Sequence, residues 1–222
     1  MIKFYVDKLL NDLLNDTDDA DSYELLQAYL GGYPIETLIP LLESNNENTL
    51  EEAIWIVSEL SCKASYLLEY IIPLVHHSNF KINYFAMDSI LLGTLEIENC
   101  KNFVYVIKEL DNADESIRTH AMNLICSAEN IQLKASVNYL SETTSTSKTH
   151  IEGLSNLLGC GSMLEIEILF MLDSNNPLTR KYGVMIVFKL QKKYPKLINY
   201  VLGISDTDIE EFSERKFAPF VP

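Results

Sequence analysis

Apolar residues along this chain recur three and four positions apart, and short polar turns interrupt them. That spacing places the apolar side chains on one face of a helix. Two segments share a layout. Ile39-Pro40-Leu41-Leu42 leads through a polar turn to Ala53-Ile54-Trp55-Ile56-Val57, and Ile72-Pro73-Leu74-Val75 leads through another to Ala86-Met87-Asp88-Ser89-Ile90. The two prolines are 33 residues apart, and so are the two alanines. A third unit runs from Val106–Leu110 through Asp111–Asp114 to Ala121–Ile125. A degenerate fourth centres on Gly153, and a fifth runs from Ile168–Leu172 through Asp173–Pro177 to Gly183–Val187.

A small residue therefore returns at 53, 86, 121, 153 and 183, in steps of 33, 35, 32 and 30. Two helices of a hairpin cross closely only where a side chain is small, so each unit is predicted to be a helical hairpin. Asx and Ser residues in the turns are suited to accept the orphan N–H bonds of the second helix. Asp114, four residues before Arg118, also predicts a helix-surface ion pair. At the N-terminal end, Phe4–Leu14 reads as a helix, 16–21 as an acidic turn, and Tyr23–Leu30 as a helix stopped by Gly31-Gly32. At the other end, Tyr194–Leu202 reads as a first helix without a matching partner, Ile209–Phe217 as a short last helix, and 218–222 as a tail. The Ser141–Lys148 run falls where the turn of the fourth unit belongs. The expected organisation is one repeat domain over 1–222, with a capping hairpin over 1–32, repeats over 33–190, and a C-terminal cap and tail over 191–222.

With a proline in the first helix and a small residue in the second, the segment 33–190 resembles the HEAT-repeat family. The resemblance implies an all-α fold, a right-handed α-α superhelix of about five to six helical hairpins. One departure is visible. The family's Asp in the turn and Arg in the second helix occur together only at Asp114 with Arg118 and at Asp173 with Arg180.

Charge narrows the function classes. Lys plus Arg total 17 against 32 Asp plus Glu, a net −15. Nucleic-acid binders need a basic footprint, and only Arg118, Arg180 and Arg215 supply arginine. The acidity is uneven: residues 1–111 hold 6 Lys and no Arg against 19 acids (−13), and residues 112–222 hold 11 basic residues against 13 acids (−2). An acidic face speeds encounter with basic partners. Cys62, Cys100, Cys126 and Cys160 show no metal-site spacing and read as small apolar core residues of a reducing compartment. The N-terminus has no secretory apolar core, and no apolar run approaches the ~20 residues that span a bilayer. The expectation is a cytoplasmic protein with no membrane or nucleic-acid partner.

No sequence motif carries catalysis, and neither a cofactor nor a metal is expected. The Gly159-Cys160-Gly161-Ser162 run lacks the lysine and the preceding strand of a phosphate loop, and reads as a helix stop that uses glycine at positive φ. His76 and His77 are adjacent, point in different directions, and have no further ligand in register.

A surface remains as the functional element. In stacked hairpins of this type the second helices are expected to line the concave surface, with equivalent positions side by side. Two places before the small residue lie Glu51, Tyr84, Thr119, Ile151 and Lys181, and two places after it lie Trp55, Asp88, Asn123, Ser155 and Met185. With Glu59, the candidate partner-binding residues are Glu51, Trp55, Glu59, Tyr84 and Asp88, carboxylates beside aromatic anchors. A small acidic repeat protein of this kind is similar to immunity proteins of bacterial toxin systems. That implies a non-catalytic module binding a basic protein such as a toxin nuclease domain, and the Asn-, Ile- and Lys-rich usage suits an AT-rich bacterial genome. HEAT-like DNA glycosylases that remove alkylated bases also resemble the chain in length and architecture. In that alternative Trp55 and Asp88 would form the aromatic–acid cluster, against the −15 charge. A scaffold or maturation chaperone would use the same kind of surface as an immunity protein.

Overall fold

The computed structural model describes residues 2–15, 21–143 and 148–217. Among them are fourteen α-helices and no strand, an all-α fold of successive helical hairpins in the solenoid class. They form two compact units, Met1–Asn102 and Phe103–Pro222.

The first unit begins with the pair α1 (Ile2–Leu14) and α2 (Ser22–Leu30). Its next hairpin is a 3-10 turn, Ile35–Leu38, running into α3 (Ile39–Leu42), and then α4 (Glu47–Glu59). The following one has α5 (Leu68–Ile71) between 3-10 segments Ser61–Leu67 and Ile72–His76, then α6 (Phe80–Gly93). Pro40 and Pro73 each sit in the first turn of a short segment, where a missing N–H costs least. These first helices are therefore segmented, whereas α4 and α6 run unbroken. Helix α4 packs between α2 and α6. Leu25, Leu38, Ile54, Val57, Ile71, Val75 and Met87 fill the core behind them, fully buried.

The second unit contains α7 (Val104–Lys108), followed by the 3-10 turn Glu109–Asp111, then α8 (Glu115–Ser127), α9 (Asn130–Thr143) and α10 (Lys148–Gly159). It continues with α11 (Glu165–Leu172), α12 (Pro177–Leu190), α13 (Lys196–Val201) and α14 (Thr207–Phe217). Here α12 packs on both α10 and α8, and α14 packs on α8, α12 and α13. The C-terminal helices thus pair with each other. Phe212 and Phe217 are fully buried and meet the Phe188 ring edge-on at 6.1 and 6.0 Å.

One local device repeats in both units. Asn46, Asn79, Asp114 and Asn176 cap α4, α6, α8 and α12, each accepting the N–H two positions on, at 2.8–3.0 Å. Two residues before each cap, Ser44, His77, Asn112 and Ser174 accept the cap's own N–H at 2.8–3.2 Å. His77 is therefore a turn residue whose Nδ1 is the acceptor, the part serine or asparagine plays elsewhere. Seven residues after each cap comes the small residue: Ala53, Ala86, Ala121 or Gly183. The three alanines are wholly buried. Gly153 faces a tighter crossing than Gly183, since a Cβ there would lie 2.1 Å from the Tyr182 ring. At Gly183 it would lie 3.1 Å from the Leu172 and Met171 side chains.

Several local expectations change. Gly159 has φ −91, so α10 stops in a 3-10 turn without a left-handed residue. Gly32 (φ 98) is the left-handed stop after α2. Arg118 donates to the carbonyls of Asn112 and Ala113 at 2.7 and 2.8 Å, and Arg180 to that of Ser174 at 2.9 Å. Both guanidiniums thereby tie the turn to the second helix. Cys62 is exposed on the 3-10 segment after α4 and is no core residue, while Cys100 and Cys160 are buried. Residues 16–20 of the acidic turn, 144–147 of the fourth turn and the tail 218–222 lie outside the described residues.

Candidate functional site

In the first unit α2, α4 and α6 line an open pocket of about 420 Å³. Helix α2 contributes Ser22 and Tyr23, α4 contributes Glu51, Glu52 and Trp55, and α6 contributes Lys81 and Phe85. Trp55 is half-buried, so its ring is shared between core and pocket, and Tyr23 is 64% exposed. Lys81 Nζ lies 2.6 Å from Glu51 Oε1. That hydrogen bond, reinforced by the charge of Glu51, raises the pKa of Lys81 above its ordinary value. The unit holds 5 Lys and no Arg against 17 acids, a net −12. The second unit has 12 basic residues against 15 acids, a net −3.

Of the five residues singled out by register, Glu51 and Trp55 line the pocket. Tyr84 is half-buried and meets Phe80 and Phe85 at 5.7 and 5.8 Å between ring centres, and Asp88 is half-buried one turn further along α6. Glu59 is exposed at the end of α4. Register along the helices does not single out Tyr23, Glu52, Lys81 and Phe85, for a geometric reason. A groove between neighbouring parallel helices is lined by opposite flanks of the two. Equivalent positions sit about 8–10 Å apart, one interaxial distance. Lys81 and Phe85 are spaced i, i+4 on α6, as Glu51 and Trp55 are on α4, and that shared spacing was the available signal.

A second cluster lies within the other unit. His150 Nε2 is 3.0 Å from Asp111 Oδ2, and His150 Nδ1 is 3.0 Å from the Tyr182 hydroxyl. A carboxylate only accepts, so Nε2 carries the proton and Nδ1 accepts from Tyr182. Burial depresses the His150 pKa, opposed by Asp111. Beside it Lys181, 5% exposed, donates to the Leu110 carbonyl at 2.9 Å. Carboxylate, imidazole and hydroxyl in a row is the order that activates a nucleophile. Here the hydroxyl belongs to a tyrosine with no exposed surface, and burial lifts its pKa well above the ordinary value. The cluster joins α10 and α12 to the turn after α7, and its only solvent-facing member is Asp111. Burial pushes the thiol of Cys126 up to about 12, away from the thiolate form that a nucleophile needs. Among the described residues no group of three or more His, Cys, Asp or Glu side chains is placed to hold a metal ion. No helix there is long and apolar enough to cross a membrane.

No protein-family model matches the sequence, and no curated protein matches it. Among solved structures, an engineered protein is similar over 96% of this chain and 67% of its own, at 13% identity and a TM-score of 0.50. The archaeal HEAT-like repeats protein from Thermococcus onnurineus NA1 is similar over 97% of this chain and 98% of its own, at 10% identity and a TM-score of 0.53. At these identities the likeness is one of fold, and the fold is the HEAT-like all-α solenoid.

Proposed function

We propose that this protein is a non-catalytic binding module whose acidic second-helix surface, in the unit Met1–Asn102, takes a basic protein partner. The observation that carries the reading is the pocket joining Glu51 and Glu52 to Trp55, Tyr23 and Phe85 in a unit of net charge −12. Aromatic anchors beside carboxylates are the composition of a hot spot for cationic side chains. The net charge steers basic partners and repels phosphate backbones. A basic toxin nuclease, of the kind immunity proteins neutralise, is the partner class this reading favours. The free thiols, Cys62 among them exposed, suit the reducing cytoplasm in which such a protein would work.

Affinity capture from the native host, with mass spectrometry of the retained proteins, tests the reading. The expected result is a basic protein that elutes as salt rises and is not retained by the Glu51→Lys, Glu52→Lys double variant. Retention of no basic protein above the control, or binding of duplex DNA at physiological salt, overturns it.

A further inference from the structure

Lys81 occupies an unfavourable place. It is the second residue of α6, in the first turn, where the helix dipole disfavours a cation and where that helix carries no acidic residue. What holds it is Glu51, across the pocket on α4. The pocket is thus already arranged around a positive charge, delivered from its own wall. The second carboxylate, Glu52, and the rings of Trp55, Tyr23 and Phe85 complete the lining. The volume of about 420 Å³ lies in the range of specific ligand pockets.

We propose that this pocket is the anchor site for one arginine side chain of the basic partner, with Lys81 as its internal competitor. The assignment rests on the basic-partner reading above and adds the chemistry of its central contact. A guanidinium is planar and weakly hydrated, stacks on aromatic faces and pairs with carboxylates through two parallel hydrogen bonds. An ammonium is a compact, strongly hydrated point charge and gains less from an aromatic wall. Entry of the guanidinium takes Glu51 from Lys81. The lysine then swings into water on its flexible stem, and its 64% exposed side chain has room to do so. Binding therefore replaces one ion pair by another with better geometry, and the exchange sets the affinity.

Trp55 is the only tryptophan in the chain, so its emission reads the pocket directly. The probes are end-blocked tetra-arginine, tetra-lysine and tetra-glutamate peptides, titrated into the full chain, with circular dichroism confirming the fold of each variant. Tetra-arginine is expected to change Trp55 emission saturably, more tightly than tetra-lysine, with tetra-glutamate inert. Glu51→Gln weakens it by about tenfold. Lys81→Met tightens it severalfold, whereas Lys101→Met, which removes an exposed charge of the same unit outside the pocket, changes it less than about twofold. Saturable binding by titration calorimetry that leaves Trp55 emission unmoved, or Lys81→Met no tighter than Lys101→Met, overturns the anchor site and leaves the basic-partner reading standing. Tetra-lysine binding as tightly as tetra-arginine overturns the assignment to arginine. Failure of both cationic peptides to saturate overturns the anchor site and the basic-partner reading together.

Discussion

The same register positions fare differently in the two units. In Met1–Asn102 the places two before and two after the small residue hold Glu51, Trp55, Tyr84 and Asp88, all partly exposed. In Phe103–Pro222 the six positions divide: Thr119, Lys181 and Met185 are buried, Asn123 and Ile151 are half-buried, and Ser155 is exposed. The cause is packing. In the first unit α4 packs on α2 and α6, and Glu51 and Trp55 between them keep part of their surface. In the second, α12 reaches α8 and α14 packs on both, and Thr119, Lys181 and Met185 on those two helices become interior. Polar residues caught there must find partners. Lys181 bonds to the Leu110 carbonyl, and His150 bridges Asp111 and Tyr182. One repeat pattern thus leaves all four positions partly open in the first unit and closes three of the six in the second.

The largest test of this contrast is a pair of truncations. Tyr182→Ala removes a fully buried ring and is expected to destabilise the second unit by about 3–5 kcal/mol. Trp55→Ala removes a half-buried ring and should cost clearly less, about 1–2 kcal/mol. Urea titrations of Tyr182→Ala followed by Trp55 emission for the first unit, and by circular dichroism for both, separate the units. A fall in the dichroism transition with the emission transition unmoved means that they unfold independently.

Next in size is Gly153→Ala. Its methyl would meet the Tyr182 ring at 2.1 Å, so overpacking of about 1–3 kcal/mol is expected. An unchanged urea midpoint would show that the ring moves aside freely. Loss of a cap should cost the same in both units, about 1 kcal/mol for Asn46→Ala and for Asn176→Ala. Unequal losses by amide hydrogen exchange would show that the shared cap motif carries different weight in the two units.

The smallest effect is pH dependence. His150 is neutral in the folded protein because burial lowers its pKa below the ordinary 6.5. The unfolded chain therefore binds the proton first. The contribution is complete above about pH 6.5 and shrinks as pH falls through that value and past the folded pKa. The wild type should lose more stability than His150→Asn between pH 7 and 5, measured as the shift in urea midpoint. Parallel curves for the two proteins would remove His150 as the source.

How much of this was legible in the sequence depends on the range of the interaction. The helices, turns and crossing points of α4, α6, α8 and α12 were readable because they are local. An Asx residue seven positions before an alanine or glycine sets both the start of the helix and its closest approach to a neighbour. Glu51 and Trp55 were found because i, i+4 spacing fixes a shared flank on one helix. Phe85 and Lys81 were not found, since which flank of α6 faces α4 depends on the rotation of one helix against the next. Tyr23 comes from a third helix, beyond any register counted along two.

What the sequence determined by itself, then, is a series of capped helical hairpins, their small crossing residues and the concentration of acid in the first half. Backbone hydrogen bonding and helical periodicity act over a few residues, and net charge needs no geometry at all. Tertiary structure alone decided which of the repeated positions stay open. Asp111 and Tyr182 are 39 and 32 residues from His150, and Leu110 is 71 from Lys181. Such pairings depend on where α12 and α14 come to rest, which is a matter of side-chain packing over the whole unit.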